Sequence, residues 1–129
     1  MYNRGVSIVG IGIDVVDVAR MRETLSRTPS LRERCFTPGE RAYAERARDP
    51  TERLAVRFAA KEAVMKAMGV GLGAFGFHDV EVVRADDGVP SLLISGDAAR
   101  LADNLGIARW HLSLTHTETT AAAYVIAER

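Results

Sequence analysis

Two carboxylic acids and two lysines are the residues of this sequence whose types and positions could do chemistry. Of the 17 basic residues, 15 are arginines, and the only lysines are Lys61 and Lys66. Lysine is a compact point charge suited to phosphate, whereas arginine prefers planar, bidentate partners. Lysine is also a good helix former on a solvated face, so the composition leaves both interpretations open.

Glu62 stands where a charged side chain is costly. It lies between Phe58 and Met65 on the apolar stripe of a predicted helix. A carboxylate on that stripe needs a partner, because an isolated buried charge is expensive. An ion pair with Lys66 at i,i+4 would supply one without any function, and a bound cation is the functional alternative.

Asp14 raises the same question on a predicted strand. By alternation it shares a strand face with Gly10 and Gly12, and a face without side chains lets a ligand approach the backbone. The structural alternative is that Asp14 caps the following turn. The two glycines also begin a dinucleotide-binding fingerprint. That fold is excluded because Val15 replaces the third glycine and the next elements are not βαβ units.

Together with the two lysines, Asp14 and Glu62 indicate a hard cation used with phosphate. Mg²⁺ takes one or two protein carboxylates and completes its shell with water and phosphate oxygens. A zinc site is not supported, because the three histidines and Cys35 lack ligand spacing. A Ser113–His116 hydrolase lacks a GxSxG turn and an orienting acid, and His116 alone is typical of a surface turn.

The elements that must position these residues follow an α+β order, with helices laid on an antiparallel sheet. Asp17 and Thr37 are predicted helix N-caps, and Gly69 is predicted to end the long helix. The sequence predicts strands over 6–16, 79–84, 90–95, 109–115 and 121–127, a turn at 86–88, and helices over 18–27, 38–48, 50–68 and 97–105.

Length and composition set the class of protein. A chain of 129 residues is expected to form one domain over 1–129, and 47% hydrophobic with 26% charged residues is typical of a soluble globule. The net charge of zero gives no support for a nucleic-acid or membrane partner, and no apolar run reaches the roughly 18–20 residues of a membrane span. The single Cys35 suits a reducing cytoplasm.

Five segments resemble the motifs of the holo-acyl-carrier-protein synthases, the short, trimeric class of 4′-phosphopantetheinyl transferases. They occur in that family's order and spacing over nearly the whole chain. Val70, Thr115 and Thr120 differ from the residues usual in the family at these positions, and these differences are mild. The segments are Gly12-Ile13-Asp14 with Arg20, FTPGERAY at 36–43, RFAAKEAVMKA at 57–67, Gly88-Val89-Pro90 and LSLTHT at 112–117.

This resemblance implies a Mg²⁺-dependent enzyme of fatty acid biosynthesis. It would transfer 4′-phosphopantetheine from coenzyme A to a serine of apo acyl carrier protein and release 3′,5′-adenosine diphosphate. Asp14 and Glu62 would hold the metal, and Lys66 would complete the catalytic set by stabilising the leaving phosphate. The residues that would contact coenzyme A are Arg57, Lys61, Lys66 and His116. No third acid stands out as the general base, and a water molecule on the metal is one hypothesis.

The resemblance also implies two protein partners. Acyl carrier proteins are acidic, and Arg20, Arg22 and Arg27 on the first helix are expected to dock one, although a solvated arginine face is the alternative. Residues 1–66 carry 13 basic and 9 acidic side chains, whereas residues 67–129 carry 4 and 8. The second partner is the chain itself, since the family suggests a homotrimer. Asp14 and Glu62 would come from one subunit and His116 from the next.

A function of another class also fits these residues. A non-catalytic module that binds a phosphorylated ligand or an acidic carrier helix would use the same charged groups. The two hypotheses differ in whether a carrier protein gains the covalent mass of phosphopantetheine.

Overall fold

A computed structural model describes residues 7–85 and 87–129. Val6 and Asp86, which the sequence places in a strand and a turn, lie outside the described residues. The elements are β1 (Ile8–Asp17), α1 (Val18–Arg27), α2 (Leu31–Cys35), α3 (Pro38–Glu45), α4 (Thr51–Met68), a 3₁₀ turn (Phe77–Asp79), β2 (Val80–Arg84), β3 (Pro90–Ile94), α5 (Gly96–Asn104), β4 (Arg109–His116) and β5 (Thr120–Glu128). The predicted α+β class is confirmed.

An antiparallel sheet of three strands carries Asp14 and His116, whereas the other candidate residues lie on helices α1 and α4. Its order is β1-β5-β4, and β2 pairs with β3 as a separate antiparallel hairpin. Asp14 on β1 stands opposite Ala123 of β5, whereas His116 on β4 stands opposite Ala121. The middle strand β5 therefore separates the strand of Asp14 from the strand of His116.

Helix α4 lies against β1 and β5, and the glycines of β1 allow it to come close. A Cβ atom on Gly10 would stand 1.7 Å from the carbonyl oxygen of Ala67, and one on Gly12 would stand 1.8 Å from that of Ala63. Neither distance is possible for a real side chain, so only glycine permits this approach of strand and helix. The approach brings the end of β1 beside the part of α4 that carries Glu62.

The three helix caps that the sequence predicts are confirmed. Asp17 caps α1 by accepting a hydrogen bond from the amide of Arg20 at 3.0 Å. Thr37 and Glu40 form a reciprocal capping box at the start of α3. Gly69 ends α4 in the left-handed region, with φ of 71°. Gly69 thus fixes the end of α4, one residue after Met68.

Two details differ from the sequence-based prediction. The chain forms an additional helix, α2, and α3 ends at Glu45 rather than near 48. Helix α2 has five residues and no side-chain cap, so its stability comes from packing of residues such as the buried Cys35. Local sequence signals are too weak to predict a helix of that length.

The sheet has one covered face and one open face. The core beneath α4 includes Ala63, Met65 and Val125, all buried. The opposite face presents Ile11 and Val15 of β1, which are 51% and 62% exposed. Among residues 7–85 and 87–129, no helix is both long and apolar enough to cross a membrane.

Candidate functional site

Asp14 and Lys66 meet where β1 passes the last turns of α4. The Lys66 Nζ donates hydrogen bonds to the Asp14 Oδ1 at 3.0 Å and to the carbonyl oxygen of Ile13 at 2.9 Å. The Lys66 side chain is 54% exposed and that of Asp14 is 18% exposed. The ion pair that the sequence offered as a structural alternative, Glu62 with Lys66, is replaced by this pair between helix and strand.

Glu62 is half-buried beside this pair. Burial raises the pKa of Glu62, the nearby charge of Asp14 raises it further, and Lys66 partly opposes both effects. The charged form of Glu62 is therefore disfavoured, and a single exposed lysine does not offset the cost. Two neighbouring carboxylates with this imbalance favour an added cation.

Both carboxylates line a cavity of about 610 Å³, which we call the carboxylate cavity. The rest of its wall is mostly apolar and includes Met21 of α1, Phe58 of α4, and Phe36 between α2 and α3. Arg20 also lines it. A ligand at the carboxylates would therefore have an apolar space beside it.

A second cavity of about 610 Å³, the arginine cavity, lies between α3, α4 and the β2–β3 hairpin. Tyr43 and Arg57 line it, together with Glu81. The guanidinium groups around the Tyr43 ring lie 4.4–5.6 Å from its centroid and belong to Arg46, Arg53, Arg57 and Arg84. The sequence analysis singled out Arg57 alone, because the other three come together only through the fold.

Arg57 is the most constrained of these arginines. It is 2% exposed, and its Nε has no hydrogen-bond partner among the described residues. Burial also lowers the pKa of Arg57. An unpaired buried donor costs about 1–3 kcal/mol. Arg57 lines the arginine cavity, and its positive charge there has the sign that suits the predicted contact with a phosphate.

Lys61 departs from the sequence-based expectation. Its side chain is fully buried, so it presents no surface to a coenzyme A phosphate. Its Nζ donates to the Glu40 Oε1 at 2.8 Å, to the carbonyl oxygen of Phe77 at 2.9 Å, and to that of Val80. The two lysines of the chain therefore contact different elements. They are five residues apart on α4, so Lys66 faces β1 and Lys61 faces α3.

His116 lies at the other end of α4 from the carboxylates. Its Nδ1 is 3.1 Å from the Glu52 Oε1, in the first turn of that helix. Glu52 precedes Glu62 by ten residues, which is about 15 Å along the helix axis. One chain therefore does not bring His116 to Asp14 and Glu62.

The three predicted docking arginines differ in how they are held. Arg22 pairs with Asp49 at 2.8 Å, and Arg27 pairs with Glu23 at 2.5 Å. The guanidinium of Arg20 forms no ion pair within the part of the chain that the structure describes, and Arg20 is one of the residues that line the carboxylate cavity. Arg20 is thus the freest of the three to meet an acidic partner.

The oxygen donors at the carboxylate cavity can be tested as a metal site. Residues 7–85 and 87–129 contain no group of three or more His, Cys, Asp or Glu side chains arranged for a metal. A site closed by protein ligands alone is thus not formed. Asp14 and Glu62 do fit Mg²⁺, because this ion needs one or two carboxylates and takes its other oxygens from water and phosphate.

The family of the chain follows from its similarity to known proteins. The model of the 4′-phosphopantetheinyl transferase superfamily matches residues 10–127. The chain belongs to this superfamily. The resemblance that the sequence motifs indicated is confirmed by this match.

Relatives and solved structures place the transferase more narrowly. It is 54% identical over 122 residues to the holo-[acyl-carrier-protein] synthase of Frankia alni, with 95% of this chain and 98% of that protein covered. The crystal structure of the Neisseria meningitidis holo-[acyl-carrier-protein] synthase matches at a TM-score of 0.87 and 34% identity, covering 95% of this chain and all of that one (100%). The Bacillus anthracis synthase, in complex with CoA (3′,5′-ADP), matches at 0.78 and 38% identity, with 94% and 96% covered.

Proposed function

We propose that this transferase moves 4′-phosphopantetheine from coenzyme A to a serine of apo acyl carrier protein and releases 3′,5′-adenosine diphosphate. The observation that carries the proposal is that Asp14 and Glu62 line one cavity and Lys66 bonds to Asp14, in a chain of this superfamily. The synthases of Frankia alni and Neisseria meningitidis, which are similar along almost their whole length, support the same reaction.

Asp14 and Glu62 would hold Mg²⁺ in this proposal. Their half-buried carboxylates lack enough positive charge nearby, as the raised pKa of Glu62 indicates. When bound, the ion neutralises charge on the pyrophosphate oxygens of coenzyme A. The close approach of β1 to α4 keeps the two carboxylates facing the same space.

Lys66 would act on the phosphate that leaves. Phosphoryl-type transfer depends on positioning and charge neutralisation more than on covalent help from the protein. The Lys66 ammonium is exposed and bonded to Asp14, so it stands next to the place where the pyrophosphate would bind. We propose that it donates a hydrogen bond to the departing 3′,5′-adenosine diphosphate.

The arginine cavity would receive other phosphate groups of coenzyme A. Arg57 lines this cavity, and the positive charge of the arginines around Tyr43 has the sign that an anion needs. His116 would contact the nucleotide from the end of β4. Since Lys61 is fully buried, its contribution to coenzyme A binding would be indirect.

A homotrimer would bring the separated residues together. The exposed face of the sheet, which includes Ile11, Ile13 and Val15, is an apolar surface of the kind that a second copy of the chain covers. His116 and the carboxylates lie far apart on α4 within one chain. We propose that Asp14 and Glu62 of one subunit share each coenzyme A with Arg57 and His116 of the next.

Arg20, Arg22 and Arg27 would dock the acidic carrier protein. All three belong to α1, and α1 follows directly after the strand that carries Asp14. Positive charge on this helix would guide the carrier serine toward the carboxylate cavity. The arrangement supports docking beside Arg20, which lines that cavity.

The cellular setting is part of the same proposal. We propose a cytoplasmic enzyme of fatty acid biosynthesis, with its single Cys35 reduced and buried. The match over residues 10–127 supports one transferase domain across 1–129.

One experiment separates this enzyme from a non-catalytic binding module. The protein is incubated with apo acyl carrier protein, coenzyme A and Mg²⁺, and the carrier is weighed by mass spectrometry. We expect the carrier to gain the mass of one phosphopantetheine group. An unchanged carrier mass together with a stable complex would instead identify a binding module.

A further inference from the structure

A buried ion pair lies beside the wall of the arginine cavity, and the proposed reaction does not use it. Lys61 is 0% exposed and Glu40 is 1% exposed, and their side chains meet at 2.8 Å. Every acidic oxygen of Glu40 is occupied: its Oε1 also accepts from the amide of Thr37 at 3.0 Å, and its Oε2 accepts from the amide of Val82 at 2.9 Å. The pair therefore has no free group with which to bind a ligand.

The pair touches each of the three elements that enclose the arginine cavity. Lys61 belongs to α4 one turn after Arg57, and Glu40 belongs to α3 one turn before Tyr43. On β2, the Lys61 ammonium binds the carbonyl oxygen of Val80 and the Glu40 carboxylate binds the amide of Val82. The residue between them on β2 is Glu81, which lines the cavity.

We propose that Lys61 and Glu40 are a positioning pair, which sets the spacing of α3, α4 and β2 and thereby the affinity of the arginine cavity for the phosphates of coenzyme A. This inference rests on the proposed function of that cavity. It gives Lys61 an effect on coenzyme A through Arg57 and Tyr43 rather than by contact.

Directional bonds are what make the pair suitable for this task. A buried ion pair adds little net stability compared with well-packed apolar side chains, because both charges lose their water. Burial lowers the pKa of Lys61, because the charged ammonium has lost its water. The charge and hydrogen bond of Glu40 oppose this effect. The hydrogen bonds nevertheless fix the helices and the strand to one register, whereas apolar contacts would let them slide.

The pair can be removed without changing the charge of the cavity wall. Lys61 and Glu40 neutralise each other, so the double variant Lys61→Met/Glu40→Gln alters no net charge near Arg57. An effect on ligand binding then reports position rather than electrostatic field. A matched control is Val64→Ala, because Val64 is fully buried on the same helix and belongs to the core beneath the sheet.

The test measures 3′,5′-adenosine diphosphate binding by titration calorimetry, at a temperature where thermal melts show each protein folded. We expect the double variant to bind this ligand about tenfold more weakly, which corresponds to about 1.4 kcal/mol. Val64→Ala should lower the melting temperature and keep the wild-type affinity. In steady-state assays the KM for coenzyme A should rise in the double variant, while the KM for the carrier protein stays unchanged.

A second variant covers the case in which the double variant does not fold. Lys61→Met alone leaves Glu40 its hydrogen bonds from the amides of Thr37 and Val82, so it should weaken binding in the same direction by a smaller factor. If the wild type binds 3′,5′-adenosine diphosphate and the folded variants bind it equally well, the pair does not position the cavity, although the proposed function stands. If the wild type itself does not bind this ligand, both proposals are wrong.

Discussion

Asp14 and Lys66, 52 residues apart in sequence, form a 3.0 Å ion pair that joins the strand β1 to the helix α4. Asp14 lines the carboxylate cavity, so the pair holds the Lys66 ammonium beside that cavity. The pair leaves Glu62, whose pKa is raised by burial and by Asp14, without a comparable partner. The cavity therefore holds more negative than positive charge beside an exposed lysine. A bound divalent cation would balance this excess negative charge.

We expect Asp14→Asn and Glu62→Gln each to abolish transfer and leave the fold intact, because each removes a metal-binding charge and keeps the side-chain volume.

A raised pKa means that folding disfavours the charged form of Glu62, so its ionisation lowers stability as pH rises above the ordinary value of 4.5. Glu62→Gln should therefore unfold at a higher temperature than the wild type at neutral pH without metal. Carrier mass, circular dichroism and thermal melts measure these effects.

Added Mg²⁺ provides the control for this prediction. It should raise the melting temperature of the wild type and leave that of Glu62→Gln unchanged, and chelation should stop wild-type transfer. Near-normal turnover in either folded variant would show that the substituted carboxylate is not needed as a metal ligand.

Carrier docking should depend most on Arg20 among the three arginines of α1. Changing Arg20, Arg22 and Arg27 together to Ala should raise the KM for the carrier and spare that for coenzyme A. Arg20→Ala alone should have a larger effect than Arg22→Ala, because Asp49 already holds the Arg22 guanidinium. Added salt should act like the triple change, since exposed charges are screened over roughly 8–10 Å.

Arg100→Ala is the matched control for the docking prediction. Arg100 is an exposed arginine of α5 that pairs with Asp97, and it lines neither cavity. Its substitution should leave the KM for the carrier unchanged. A triple variant of α1 with the wild-type KM would show that the carrier docks on another surface.

Two inactive variants should restore activity to each other if the site is shared between subunits. Asp14→Asn lacks one part of the proposed site and His116→Ala lacks the other, so any mixed ring of three has one junction with both parts intact. Random equal mixing makes roughly three-quarters of the rings mixed, and activity should reach roughly a quarter of the wild type. Phosphopantetheine transfer is measured after the subunits have exchanged.

Mixed populations of differently tagged chains show whether exchange has occurred. Restored activity would support a site built by two subunits. Complete exchange without any recovery would mean that Asp14 and His116 act in the same chain, contrary to the proposal.

Asp49 should contribute to stability at low pH. Hydrogen bonds from Thr51, and then the contact with Arg22, lower the pKa of Asp49 from 3.8 to about 2. A lowered pKa stabilises the fold above the ordinary value, and this contribution is lost as pH falls from about 4 to about 2. Asp49→Asn should therefore be less stable than the wild type at neutral pH, and the difference should shrink over that range.

Denaturant unfolding at several pH values measures the difference. The expected effect is small because the carboxylate is half-exposed. Asp87→Asn is a suitable control, since Asp87 is exposed and bonds only to the nearby amide of Val89 among the described residues. A pH-independent difference would show that Asp49 acts by shape rather than by charge.

The features predicted correctly from the sequence are those that depend on residues close together in the chain. The caps at Asp17, Thr37 and Gly69 depend on neighbouring residues, and the structure confirms all three. The α+β class followed from strand and helix periodicity in the same way. Helix α2 escaped prediction because it depends on its packing.

The environment of a side chain was harder to predict than its element. Lys61 and Glu62 are sequence neighbours on α4, yet one is fully buried against Glu40 and the other faces the carboxylate cavity. Helical spacing gives the angle between them but not which neighbour each will meet. The ring of guanidinium groups around Tyr43 likewise depends on contacts between α3, α4 and β2, which no local pattern contains.

Gly10 and Gly12 carry no functional group, yet they constrain how this enzyme can evolve. Any side chain at either position would collide with a backbone carbonyl of α4, and such a carbonyl cannot rotate aside as a side chain does. Mutations there would separate the strand bearing Asp14 from the helix bearing Glu62, even with both carboxylates present. Two positions without chemistry of their own should therefore tolerate substitution no better than the acids beside them.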